Sequence, residues 1–228
     1  MSGGLILVTG SSRGIGAAIA RELAAPGRLI GVNFRSSRDE AEVVARQVEA
    51  KGAKALLFQA DVTSPQEVDA LFDGLPPEPL NILVCNAGIP FRHQRVAETS
   101  PEDFEQQWRS LALSSFLCVR RAAPLMAKNR SGRIVFVLSS TLEGAPPSFM
   151  SAYVSAKYAV WGLAKAVEAE YGAKGVAVHC VFPGMTQTDF IKDFPRPIVD
   201  AARELNATKI LAAPEDVAAD VARLLGAR

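Results

Sequence analysis

Tyr153 and Lys157, in Tyr153-Val154-Ser155-Ala156-Lys157, are the residues whose types and spacing most directly suggest chemistry. Four apart on a helix, they share one face and lie a turn from each other. A phenol with a pKa of about 10 exchanges protons poorly at neutral pH, and a neighbouring ammonium stabilises the phenolate and brings that value down. The lysine also reaches far enough to hold a ribose hydroxyl. Ahead of this helix, Ser140 closes the run Val137-Leu138-Ser139-Ser140. A hydroxyl there hydrogen-bonds the oxygen of a carbonyl and fixes it against a hydride donor. Ser139 is one residue off, and because side chains alternate along a strand it is expected to point away.

A second constellation is suited to phosphates. The first apolar run leads into Thr9-Gly10-Ser11-Ser12-Arg13-Gly14-Ile15-Gly16 and then into a helix. Glycines allow a tight turn, close approach of backbone to a pyrophosphate, and tight helix–strand packing, while the helix N-terminus supplies free N–H groups and partial positive charge. The second run ends Val32-Asn33-Phe34-Arg35-Ser36-Ser37-Arg38, with no acid before Asp39. A carboxylate at that strand end binds the 2′-hydroxyl of NAD and repels a 2′-phosphate, whereas a guanidinium forks two hydrogen bonds onto the phosphate. Arg35, Ser36 and Arg13 are the candidates, and NADPH is expected over NADH.

The elements that must position these groups are legible as alternation. Short apolar runs at Leu5–Thr9, Leu29–Phe34, Ala55–Gln59, Ile82–Cys85, Ile134–Leu138 and Val176–Phe182 alternate with amphipathic stretches near 14–25, 39–51, 65–73, 101–128, 153–172 and 214–225. Strands without polar alternation are buried on both faces, and strand–helix alternation implies parallel pairing with right-handed crossovers. One α/β domain over 1–228, a doubly wound parallel sheet in three layers, is the expectation.

Bulk properties exclude other classes. A formal net charge of +1 and 21% charged residues leave no basic surplus for nucleic acid, and the first apolar run is too short for a signal peptide or membrane span. Three scattered cysteines, Cys85, Cys118 and Cys180, give neither a disulfide framework nor metal-ligand spacing. Reduced, mostly buried thiols in a cytoplasmic protein, with no metal, are expected.

The Thr-led Gly-x-x-x-Gly-x-Gly turn and the Tyr-x-x-x-Lys helix resemble the short-chain dehydrogenase/reductase family, over about Leu5 to Leu225. The resemblance implies a Rossmann-type fold and further cofactor contacts. Asp61-Val62 lies where the family places the adenine, and Asn86-Ala87-Gly88 is the family's cofactor-lining turn. Pro183-Gly184-Met185-Thr186-Gln187-Thr188 matches the segment that contacts the nicotinamide, with Thr188 in contact. Ser140 stands thirteen residues before Tyr153, the family's separation, so Ser140, Tyr153 and Lys157 are the expected catalytic set.

Two departures stand out. Leu111 occupies the position of an asparagine that holds a proton-relay water in the family, and leucine has no hydrogen-bonding group. The chain also stops at Gly226-Ala227-Arg228, where members continue into a seventh strand, so that strand is expected to be absent or trimmed. Pairing as a homodimer or larger oligomer through 101–128 and 153–172 stays open.

The branch most resembled is the β-ketoacyl-carrier-protein reductases of fatty-acid or polyketide synthesis. The expected reaction is NADPH-dependent reduction of a ketone, foremost a β-ketoacyl thioester on a carrier protein or CoA. A dehydrogenase of a small alcohol, sugar or steroid is the alternative, as is a non-catalytic dinucleotide-binding partner subunit. Arg130 and Lys174 sit where the reductases present basic residues to an acidic carrier. The loop Met185–Arg196 is expected to be a mobile substrate lid. His179 reads as structural, and His93 with Arg92 borders the site.

Overall fold

The computed structural model describes residues 4–206 and 208–226. Six strands, β1 (Leu5–Val8), β2 (Leu29–Phe34), β3 (Lys54–Gln59), β4 (Leu80–Cys85), β5 (Gly132–Val137) and β6 (Val176–Val181), form one sheet in the order β3-β2-β1-β4-β5-β6. Every pairing is parallel. β1 and β2 are buried along their whole length, as expected of strands covered on both faces.

Two apolar layers cover the sheet. On one face, Ala17–Ala20 of α1 (Gly14–Glu22), Val44 and Val48 of α2 (Arg38–Glu49), and Ala218 and Val221 of α8 (Pro214–Leu224) pack on Ile6, Val8, Ile30 and Val135. On the other, Val68 and Phe72 of α3 (Pro65–Asp73), Leu117 and Met126 of α5 (Ser114–Lys128), and Val160 and Ala164 of α6 (Ser151–Tyr171) pack on Leu7, Leu83 and Phe136. This is the expected three-layer doubly wound fold. Among the described residues the sheet ends at β6, with no seventh strand; Ala227 and Arg228 lie outside the described residues. No helix among them is long and apolar enough to cross a membrane.

The order reverses between β1 and β4, which leave the sheet on opposite sides of a crevice at their C-terminal ends, where ligands bind in such folds. Two elements differ from the expectation. The stretch 101–128 is not one α-helix: α4 (Pro101–Trp108) passes through a π-helical turn, Arg109–Leu113, into α5. Serine hydroxyls bond back to its carbonyls, Ser110 to Gln107, Ser114 to Ser110 and Ser115 to Leu111, competing with the regular ladder. The second difference lies beyond β6. The chain there makes one 3-10 turn, Asp189–Ile191, and then α7 (Arg196–Leu205), so the expected loop gives way to a helix at Arg196. Proline at its first turn and the spacing of Ile198, Val199 and Ala202 are the local signals for that helix.

Candidate active site

The glycine turn is held open by side chains around it. Gly10 has φ 60° and Gly14 φ 56°, a left-handed backbone that favours glycine. A Cβ at Gly16 would run into the Gly10 carbonyl and the Asn86 amide. Asn33, fully buried in β2, accepts from the Gly10 N–H at 3.0 Å and donates to the carbonyls of Phe58 and Ala60. Asn86 donates to the carbonyls of Thr9 and Gly10, and the Thr9 hydroxyl accepts from the N–H groups of Asn86 and Ala87. The N-cap of α1, Arg13, makes no side-chain capping bond, and the first turn holds no acid. Open left-handed glycines, uncapped N–H groups and the absence of negative charge fit the pyrophosphate of a dinucleotide.

Ala87 and Thr188, of the other expected cofactor residues, lie against this turn. Gly10 packs against Ala87, where a Cβ would stand 2.9 Å from the Ala87 Cα. Thr188 lies over Gly14, at 3.5 Å from the place of a Cβ there, so the segment after β6 closes across the turn. Thr186 is buried, donates to the Gly184 carbonyl at 3.0 Å and bridges to Ala212, which anchors that segment. Ser12 and Ile15 are half-buried at the start of α1. Val62 is buried in the core, its side chain committed to packing. Asp61 accepts from the Thr63 N–H and hydroxyl and lies 3.7 Å from Arg35. Arg35, with a side chain 64% exposed, is thus loosely held at the end of β2 beside exposed Ser36, and Arg13 pairs equally loosely with Glu40 at 3.6 Å.

At the ends of β5 and α6 the two serines take different places. Ser139, expected to point away, lies near enough to Tyr153 to lower the pKa of its phenol. β5 ends at Val137, so strand alternation no longer governs the two serines. Ser139 is still extended (φ −161°, ψ 144°) and buried, whereas Ser140 begins a one-turn 3-10 helix and sits beside Gly184. The Ser139 oxygen accepts from the Thr141 N–H and hydroxyl, which leaves its own proton for the Tyr153 oxygen.

Tyr153 is buried, and burial raises its phenol above the ordinary value, opposed by the Ser139 hydrogen bond. The expectation that the ammonium brings it down is therefore reversed here. Lys157 donates instead to the Val137 carbonyl at 2.7 Å, and burial lowers its own pKa to about 8.

Leu111 lies in the π turn, buried, with its side chain filling the space a Cβ at Gly88 would need. Its carbonyl is occupied by the hydroxyls of Ser115 (2.7 Å) and Ser114 (3.2 Å). Arg130 and Lys174 stand before the first residues of β5 and β6, at the opposite end of the sheet from Tyr153. Cys85 and Cys118 are buried, with thiols pushed up by that burial; Cys180 is only half-buried.

Phe91, which sequence reasoning missed, joins the lid residues Phe190 and Phe194 and the bordering His93 around Tyr153. Phe91 stacks on its ring at 4.5 Å, and Phe190 approaches at 6.1 Å. Phe194 meets His93 edge-on at 4.3 Å and Phe91 at 5.0 Å. Next to them a cavity of about 120 Å³ reaches Gln107 and Asp103 of α4 and Phe149–Tyr153. An aromatic cluster built from two distant segments leaves no periodic signal. Asn33 did leave one: a buried amide in an otherwise apolar strand.

Fold and site together define a nucleotide-binding oxidoreductase of the doubly wound class. Residues 4–197 match the short chain dehydrogenase family model. An NADPH-dependent aldehyde reductase-like chloroplastic protein of Arabidopsis thaliana is 35% identical over 210 residues, covering 86% of this chain and 77% of its own length. The 3-oxoacyl-[acyl-carrier-protein] reductase FabG of Staphylococcus aureus is 32% identical over 206 residues, 90% of this chain and 81% of its own. Among solved structures, the landomycin C-6 ketoreductase LanV with bound NADP and rabelomycin superposes with a TM-score of 0.84 at 31% identity, over 98% of this chain and 89% of its own. The chain belongs to the short-chain dehydrogenase family, whose members bind a nicotinamide dinucleotide.

Proposed function

We propose that the chain is an NADPH-dependent carbonyl reductase acting on a ketone. The observation that carries this reading is the contact of Ser139 with Tyr153, one helical turn from a buried Lys157, beside an uncapped glycine turn. NADPH, when bound, supplies the hydride. Ser139 and Tyr153 hold the substrate oxygen, and Tyr153 gives it the proton from its hydroxyl. The Ser139 O–H then stabilises the phenolate left behind, and Lys157, released from the Val137 carbonyl, holds the cofactor's ribose and restores that proton. Ser140 stands beside Gly184.

Preference for NADPH is supported by Arg35, Ser36 and Arg13 and by the absence of an acid at the end of β2. The named Arabidopsis relative and the NADP-bound ketoreductase point the same way. A β-ketoacyl thioester is the leading substrate, supported by the S. aureus relative. Arg130 and Lys174 lend a carrier protein no support within one chain, because they lie at the far end of the sheet. Exposed Phe104, Trp108, Phe116 and Tyr158 on α4–α6 favour assembly through those helices.

The test is NADPH oxidation with a generic β-ketoester. Tyr153→Phe removes only the proton donor, so NADPH binding persists while turnover falls by about a hundredfold or more. Near-normal turnover in that variant overturns the assignment, and a wild-type protein that binds NADPH without oxidising it with any ketone indicates a non-catalytic binding subunit.

A further inference from the structure

We infer that the ketone bears a flat aromatic ring close to its carbonyl, an aryl-bearing β-ketoacyl group rather than a straight chain, the ring being held by Phe91, His93, Phe190 and Phe194; this rests on the carbonyl-reductase reading.

The four rings come from two segments a hundred residues apart, one after β4 and one after β6. They meet over Tyr153 through ring contacts: Phe91–Phe190 at 6.1 Å, Phe91–Phe194 at 5.0 Å, His93–Phe194 at 4.3 Å and Phe190–Phe194 at 6.1 Å. These contacts are edge-on and Phe91 lies nearly parallel to Tyr153, so the cluster presents both ring faces and ring edges. All four are half-buried and none belongs to either core layer as a buried member. Phe91 also lines the cavity beside Tyr153, so a group entering there meets this cluster.

A flat ring exchanges these ring–ring contacts for contacts of the same kind, face on Phe91 and edge on Phe194, and freezes almost no internal rotation. A straight acyl chain gains no quadrupole match and must freeze several torsions. A second observation separates a ligand compartment from mere packing. The His93 Nε2 is buried in this cluster with no hydrogen-bond partner, one of two such side-chain atoms among the described residues. Burial lowers the His93 pKa, which keeps the ring neutral among its apolar neighbours. Packing alone gives no reason to place an imidazole nitrogen there, whereas a polar substituent on a bound ring would meet it.

The experiment compares phenylacetone with cyclohexylacetone, which match in carbon count and insulate the ring from the carbonyl. With NADPH, kcat/KM favours phenylacetone by about fivefold or more, and Phe194→Leu combined with Phe190→Leu brings the ratio near one. A wild-type ratio of one or below, or a ratio unmoved in the double variant, overturns the inference. Calorimetry of 2-naphthol against decahydro-2-naphthol on the NADP-loaded protein reads the compartment without turnover. If neither these ketones nor a β-ketoester is reduced, the reductase reading fails, and this arm still decides: tighter naphthol binding supports an aromatic site, and equal binding removes it.

Discussion

The Ser139 hydroxyl lowers the pKa of the Tyr153 phenol against the burial that raises it, while Ser140, thirteen residues before Tyr153, sits beside Gly184. Ser139→Ala is therefore expected to lower ketone turnover by about a hundredfold, from loss of a hydroxyl at the reacting oxygen. Ser140→Ala should change it only a few-fold. Steady-state NADPH oxidation by the two variants checks this, and the reverse ranking would return the role to Ser140.

Arg35 is free to leave Asp61. The pair is 3.7 Å apart and largely solvated, so it is worth little. A 2′-phosphate, with more charge and a fork of acceptors, competes for the guanidinium. Titrations should show NADPH binding at least about tenfold tighter than NADH, or about 1.4 kcal/mol, and Arg35→Asp should erase or invert the difference. Equal affinities in the unmutated protein would exclude this account.

Lys157 ties activity and stability to pH. Its pKa falls from 10.5 unfolded to about 8 folded because burial disfavours the ammonium. Between those values the unfolded chain binds more protons, so stability increases as pH rises from about 8 to 10.5. Activity moves the other way: kcat/KM for NADPH reports the free protein, and it should fall as pH rises through about 8 and the charge is lost. Urea unfolding at pH 7 and 9.5 and a rate profile across that range test both signs. Lys157→Met should flatten the stability trend.

Leu111 offers a sharper trial of the missing relay. Leu111→Asn places an amide in a buried site whose nearest carbonyl is already taken by Ser114 and Ser115, so stability drops by about 1–3 kcal/mol. Where proton delivery to Lys157 limits the rate, turnover rises. Melting temperature beside steady-state rate is the measurement. A folded variant with reduced turnover would show that Leu111 serves instead by packing on Gly88.

The fold was legible because its signals are local. Apolar runs of strand length, amphipathic stretches and glycines at a strand–helix turn each act within a few residues, and parallel pairing follows from their alternation. Tyr153 and Lys157 were legible for the same reason, since helical geometry alone puts residues four apart on one face. Contacts between distant segments were not. The different surroundings of Ser139 and Ser140 depended on where β5 stopped. Lys157 turned to a carbonyl twenty residues away, and Asn33 latched a turn that lies 23 residues before it. The rings over Tyr153 come from chain after β4 and chain after β6, brought together only when the sheet places those strand ends on the same edge. Identity and spacing along the chain set which groups were available; burial and the meeting of remote loops determined which of them touch, and with what proton affinity.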